Sequence, residues 1–213
     1  MNTFPGVGAV LFDWDGTLLN SCAADRRAYV KMFARMEIPW TLEEYDRHYS
    51  PVWYRIYAAA GIPRRRWKEA DAIWRRLYAR ENPALLPGAR AVLARLHGKY
   101  TLGLVSSGDR TRVMQQLRKH KLRRYFKVCI CGSDTRFGKP HPAPLRLAMR
   151  QMGVSPAECL FVGDTAEDAE MARRAGVRSV GMLGPFPTHA RLEAARPDAM
   201  IGAMRELPAL LGI

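Results

Sequence analysis

A chain of 213 residues has room for one large domain, or for a core with a smaller insertion. Its hydrophobic fraction, 48%, is ordinary for a globular protein, and no apolar run approaches the roughly 20 residues that span a bilayer, so no membrane partner is expected. The formal net charge of +14 keeps nucleic-acid binding in view and would also favour an anionic phosphorylated substrate.

The first predicted element is a short strand, Val10-Leu11-Phe12, which runs into Asp13-Trp14-Asp15-Gly16-Thr17-Leu18. The pattern then changes. Ala28, Tyr29, Met32, Phe33 and Met36, and later Trp67, Ala70, Ile73, Trp74 and Leu77, recur at helical spacing, with Pro39, Pro51, Gly61 and Pro63 between them. From Leu86-Pro87-Gly88 onward, short apolar runs alternate with helices. Helices are expected at 89–96, around Val113 and Leu117, at 142–152 and at 166–175. Strands are expected at 101–105, 128–130, 159–162 and 177–180. Such alternation gives an α/β fold with a parallel sheet, whose ligands bind beyond the carboxyl ends of the strands.

Asp13, Ser106 and Asp164 each fall just after an expected strand and therefore meet at that edge. Asp13 and Asp15 can share a hard cation, and the turn at Gly16 and Thr17 can turn backbone N–H groups toward an anion. Alone, Asp13 reads as a turn cap or a metal ligand. Together with Asp15 and Asp164 it reads as a nucleophile toward phosphorus, with Asp15 as general acid and base. Ser106 can donate to a phosphoryl oxygen, while Ser107 is read as the cap of the next helix, its N–H joining the cradle. Lys139, in Gly138-Lys139-Pro140-His141-Pro142, can neutralise nucleophile and phosphoryl group alike. Thr165-x-x-Asp168 reads as a capping box, and Glu167 as an exposed acid at the helix start.

Four motifs in this order, Asp13-x-Asp15-Gly16-Thr17-Leu18, Ser106 after its strand, Lys139-Pro140, and Gly163-Asp164-Thr165-Ala166-Glu167-Asp168, resemble the haloacid dehalogenase-like superfamily. The similarity is to its phosphatase branch, related to phosphoglycolate phosphatase and beta-phosphoglucomutase, and covers nearly the whole chain. It implies a Rossmann-like core at 1–19 and 86–213 with a small helical cap inserted at 20–85. It also implies Mg²⁺ held by the Asp13 side chain, the Asp15 backbone carbonyl and Asp164, with Asp168 orienting Lys139 or a metal-bound water. The dehalogenating branch lacks a second aspartate and the phosphonate-cleaving branch has a small residue there; Asp15 departs from both.

The expected activity is Mg²⁺-dependent hydrolysis of small phosphate monoesters through an aspartyl-phosphate, with phosphoglycolate one candidate beside sugar phosphates and nucleoside monophosphates. Ser21, Arg26, Tyr45, Tyr49, Trp53, Tyr54 and Arg55 are candidates for substrate choice, and most of the aromatics fit equally well in the small core of the cap. The alternatives are a sugar phosphomutase, whose Thr-Gly and Ser-x-x-Arg cap signature is missing here, or a noncatalytic phosphate- or nucleic-acid-binding protein. The densest basic groups, Arg64-Arg65-Arg66 and Lys119, Lys121, Arg123 and Arg124, carry no recognition motif. No specific nucleic-acid partner is therefore expected. Cys22, Cys129, Cys131 and Cys159 read as buried thiols rather than a disulfide framework or a zinc site. With no secretory signal pattern at the N-terminus, cytoplasmic location is expected, as monomer or homodimer.

Overall fold

The computed structural model describes residues 3–213; the first two positions of the segment 1–19 lie outside them. The chain divides into two compact units, Met1–Asn20 with Leu85–Ile213, and Ser21–Ala84. In chain order the elements are β1 (Ala9–Phe12), α1 (Cys22–Arg35), α2 (Leu42–His48), α3 (Trp53–Ala59), α4 (Trp67–Tyr78), α5 (Ala89–Leu96), β2 (Thr101–Val105), α6 (Arg110–Lys119), β3 (Val128–Ile130), α7 (Ala143–Met152), β4 (Cys159–Gly163), α8 (Ala166–Ala175), β5 (Arg178–Met182), α9 (His189–Ala194), β6 (Ala199–Ile201) and α10 (Leu207–Leu210).

The larger unit is built on one six-stranded sheet in the order β3-β2-β1-β4-β5-β6, with every neighbouring pair parallel. Side chains alternate between its faces. Val10, Phe12, Leu102, Leu104, Leu160 and Val162 pack on one side with α5 residues Val92, Leu93 and Leu96. Ala9, Leu11, Val105, Cys159 and Phe161 pack on the other with Leu145, Met149 and Met152 of α7 and Met171 and Ala172 of α8. Both faces are covered, which explains why these strands read as unbroken apolar runs rather than alternating ones. Phe12 is in register with Leu104 on one side and Val162 on the other, so the residues that follow β1, β2 and β4 emerge side by side. The strand order reverses between β1 and β4, the place where open α/β sheets form a crevice.

Sequence patterning missed the third β-strand on that side. Ala199–Ile201 is only three residues long, and Met200 at its centre is exposed. The short α9 and α10, of six and four residues, were not expected either. All four cysteines are free and buried. The smaller unit is helical. Its interior holds Tyr29, Met32, Phe33, Tyr45, Ile56, Tyr57 and Ala70. The buried Tyr45 hydroxyl donates to Asp25 Oδ2 at 2.5 Å. Arg26 pairs with Asp46 at 2.9 Å and lies over the Tyr45 ring. Tyr45 and Tyr49 are thus interior residues of this unit, whereas Trp53 and Tyr54 are exposed. Among the described residues, no helix is long and apolar enough to cross a membrane.

Candidate active site

The loop after β1 is tied down by its own backbone. Leu18 and Leu19 N–H donate to Trp14 O, and Gly16 N donates to Leu19 O at 2.8 Å. Asp13 N donates to Val162 O at 2.9 Å, which carries the sheet one residue past the strand and fixes the start of the loop against β4. Gly16 has φ +85°, and a Cβ there would stand 2.2 Å from Asp164 Oδ2. Only glycine lets the two loops approach this closely.

Four buried ionisable side chains meet at the carboxyl ends of β1 and β4. Lys139 Nζ lies 2.5 Å from Asp13 Oδ1 and 2.6 Å from Asp168 Oδ1, so one ammonium bridges two carboxylates. Asp13, Asp164 and Asp168 each offer an oxygen, and those oxygens lie within 4.8 Å of one another. Thr17 Oγ1 donates to Asp164 Oδ1 at 3.1 Å, and Thr188 Oγ1 donates to the Asp164 carbonyl at 2.8 Å. Asp164 Oδ2 is buried with no hydrogen-bond partner. Thr165 and Asp168 form the capping box at the start of α8, with Asp168 Oδ2 accepting from Thr165 Oγ1 at 2.7 Å. Its other oxygen lies 2.6 Å from Lys139 Nζ, so Asp168 caps α8 with one oxygen and contacts Lys139 with the other. Glu167, expected as an exposed helix-start acid, is buried instead.

Burial pushes the Asp13 carboxyl up to about 7; Lys139 pulls the other way, and Asp168 and Asp15 add to the rise. Burial also raises Asp164 well above the ordinary carboxylate range, with Asp13 and Asp168 repelling it further and the Thr17 hydroxyl opposing. Burial works against the Lys139 ammonium, but Asp13 and Asp168 outweigh it, and the lysine is raised above its ordinary value. Three carboxylates against one ammonium leave an excess of two negative charges when all are ionised. That imbalance, with one carboxylate oxygen unpartnered, fits a divalent oxygen-seeking cation.

Ser106 is buried at the end of β2. Its Oγ accepts from Gly108 N at 3.0 Å, which leaves the hydroxyl hydrogen to donate elsewhere. The helix cap is Asp109, not Ser107: α6 begins at Arg110, and the Asp109 side chain accepts from Arg112 N. His141 Nδ1 accepts from Ala143 N at 3.1 Å and so supports the start of α7.

Asp15 is not part of the three-carboxylate cluster. Both its oxygens accept from Arg112, Oδ1 from Nη1 at 3.1 Å and Oδ2 from Nη2 at 2.7 Å. Sequence reading passed over Arg112, which looks like one more exposed helix arginine, as it did Thr188. The only signal for Arg112 is its place on the first turn after Ser106.

A family model described as haloacid dehalogenase-like hydrolase matches residues 10–182. The chain belongs to the haloacid dehalogenase-like hydrolase family. Among curated relatives of this hydrolase, phosphoglycolate phosphatase from Escherichia coli (strain K12) is 29% identical over 246 aligned positions, covering 100% of this chain and 96% of the relative. Among solved structures, a haloacid dehalogenase-like hydrolase from Streptococcus pneumoniae shares the fold with TM-score 0.85 at 21% identity, covering 96% of this chain and 98% of that one. CbbY from Rhodobacter sphaeroides, solved in complex with phosphate, is 26% identical with TM-score 0.78 and covers 97% of this chain and 100% of its own.

Proposed function

We propose that this hydrolase is a divalent-cation-dependent phosphatase acting on small phosphate monoesters through a phosphorylated Asp13. The observation that carries the reading is the buried meeting of Asp13, Asp164, Asp168 and Lys139 at the β1–β4 crevice.

A magnesium ion fits the donor set; Asp13, Asp164 and the Asp15 backbone carbonyl would hold it, and it would supply positive charge against the nucleophile and the phosphoryl oxygens. The chain's own residues carry the bond changes. An Asp13 carboxylate oxygen attacks phosphorus as the ester oxygen departs on the opposite side. Asp15 gives that oxygen a proton. Asp15, now a carboxylate, takes a proton from water, the water oxygen attacks phosphorus, and inorganic phosphate leaves with Asp13 restored. The Lys139 ammonium and the Ser106 hydroxyl hold the equatorial phosphoryl charge, with the backbone N–H of Ser107 completing the cradle. Asp168 holds Lys139, and Thr17 holds Asp164. Both are supporting roles.

We assign substrate choice to the helical unit at 21–84, in the role of a cap. Phosphoglycolate heads the candidates on the strength of the curated relatives; sugar phosphates and nucleoside monophosphates follow. The test is a screen of phosphorylated metabolites for Mg²⁺-dependent phosphate release, run beside Asp13→Asn. Release from one or a few small monoesters by the wild type alone is expected. Equal release by the variant, or none from any monoester, would overturn the reading.

A further inference from the structure

We propose that Arg112 is a positioning residue that sets the Asp15 carboxylate for proton transfer; this rests on the acid–base role given to Asp15 above. A planar guanidinium facing a carboxylate with two N–H groups fixes both the distance and the plane of the carboxylate, which a single contact does not. The two Arg112–Asp15 bonds, 3.1 and 2.7 Å, have that form. The pair is only partly exposed, with side-chain accessibilities of 18% for Arg112 and 24% for Asp15.

The guanidinium is itself held. Gln116, one turn further along α6, accepts from Arg112 Nη1 at 3.2 Å through Oε1. The same Oε1 accepts from the indole N–H of Trp14 at 2.9 Å, and Trp14 is fully buried. Trp14 is the residue before Asp15, so the network closes on the catalytic loop from both sides. Gly108 makes room for it: a Cβ there would stand 2.2 Å from Arg112 Nη2. Asp15 sits in a loop beyond the end of its strand, where nothing in the sheet ladder orients its side chain. A misplaced general acid loses rate steeply, with errors near 1 Å costing about 10²-fold. A fixed arginine, anchored through Gln116 to the core, supplies that orientation.

A merely structural role, or a role in gripping a second anionic group on the substrate, makes different predictions. The experiment measures Arg112→Gln and Arg112→Lys, each alone and with Asp15→Asn, on an alkyl phosphate and on p-nitrophenyl phosphate. An alkoxide needs its proton and nitrophenolate does not. Arg112→Gln should therefore lower kcat on the alkyl ester by about 10- to 100-fold. The nitrophenolate burst should keep its wild-type rate, and only the later hydrolysis of phosphorylated enzyme should slow. Arg112→Lys keeps the charge but loses the two-point grip, so it should show the same pattern with a smaller loss. In the Asp15→Asn background neither change should cost anything further, since Arg112 acts through Asp15.

Equal losses on both esters in the burst phase, undiminished losses in the Asp15→Asn background, or a raised KM with unchanged kcat would overturn the assignment. If Arg112→Gln fails to fold, the Lys variant decides on the same criteria. Full activity of Asp15→Asn would sink the acid–base reading itself. Impaired Asp15→Asn beside unimpaired Arg112 variants would sink only the role of Arg112.

Discussion

At the scale of single residues, the site is a place where charge has been buried in excess. Asp13 titrates near 7 rather than near its ordinary 3.8, so the folded protein binds that proton more tightly than the unfolded chain does. The sign follows: the Asp13 contribution to metal-free stability should fall as pH rises from about 4 to about 7, and Asp164, raised in the same direction, adds to the fall. Mg²⁺ competes with that proton, so the gain in Tm on adding Mg²⁺ should be larger at pH 8 than at pH 5. Thermal melts with and without chelator at both pH values check this, and an equal gain at the two would contradict it. Asp164 tells the same story from the other side of the crevice. Asp164→Asn keeps the shape and the bond from Thr17 but removes a buried charge. The metal-free variant should be more stable than wild type at pH 8 by roughly 0.5–2 kcal/mol, while its response to Mg²⁺ disappears. Urea titrations in chelator and in Mg²⁺ read both effects. A destabilised metal-free variant would show that the charge is better compensated than the geometry indicates.

At the scale of elements, four of the site residues hang on a boundary: Asp13 on the end of β1, Ser106 on the end of β2, Asp164 on the end of β4, and Asp168 on the first turn of α8. The capping box of α8 joins structure to chemistry, because Asp168 caps with one oxygen and holds Lys139 with the other. Thr165→Ala should cost about 0.5–2 kcal/mol, the usual worth of a lost cap. It should also slow turnover more than it weakens folding, since Asp168 loses the bond that orients it toward Lys139. Equilibrium unfolding and kcat on one substrate separate the two losses; a stability loss with unchanged kcat would detach the cap from the site. These boundaries were legible in the sequence where an apolar run stops abruptly at Asp, Ser or Gly. The strand 101–105 was read to the residue for that reason, and the bounds of the helices 89–96 and 166–175 and of the strand 128–130 also agree. Asp109 was overlooked as the cap of α6 because Ser107, Gly108 and Asp109 all suit a turn, and only the hydrogen bond from Arg112 N selects among them. Arg112 itself was illegible because its partner lies 97 positions away, and an arginine on a polar helix carries no mark of such a contact. Buried Glu167 was misread for a related reason: α8 has a wider buried face than its polar first turn suggests.

At the scale of the whole molecule, the helical unit leaves and rejoins the larger unit at one point. Leu86 N donates to Leu18 O at 2.9 Å, and Leu19 bridges Leu85 in antiparallel fashion. The larger unit therefore closes its own backbone across the insertion and buries its own core. Replacing 21–84 by a short Gly/Ser linker should leave a cooperatively folding protein that still gains stability from Mg²⁺. Its discrimination among phosphate monoesters should collapse. Calorimetry with a substrate panel checks this, and retained discrimination would remove substrate choice from the helical unit. The central claim lies in the larger unit, at Asp13. Its most direct test is rapid quenching of the Mg²⁺-loaded enzyme with a ³²P-labelled monoester it turns over, followed by peptide mapping. Label should appear on the peptide containing Asp13 within a single turnover, be labile in base, and be absent from Asp13→Asn. Label on any other residue, or a product burst with no labelled protein, would contradict the account.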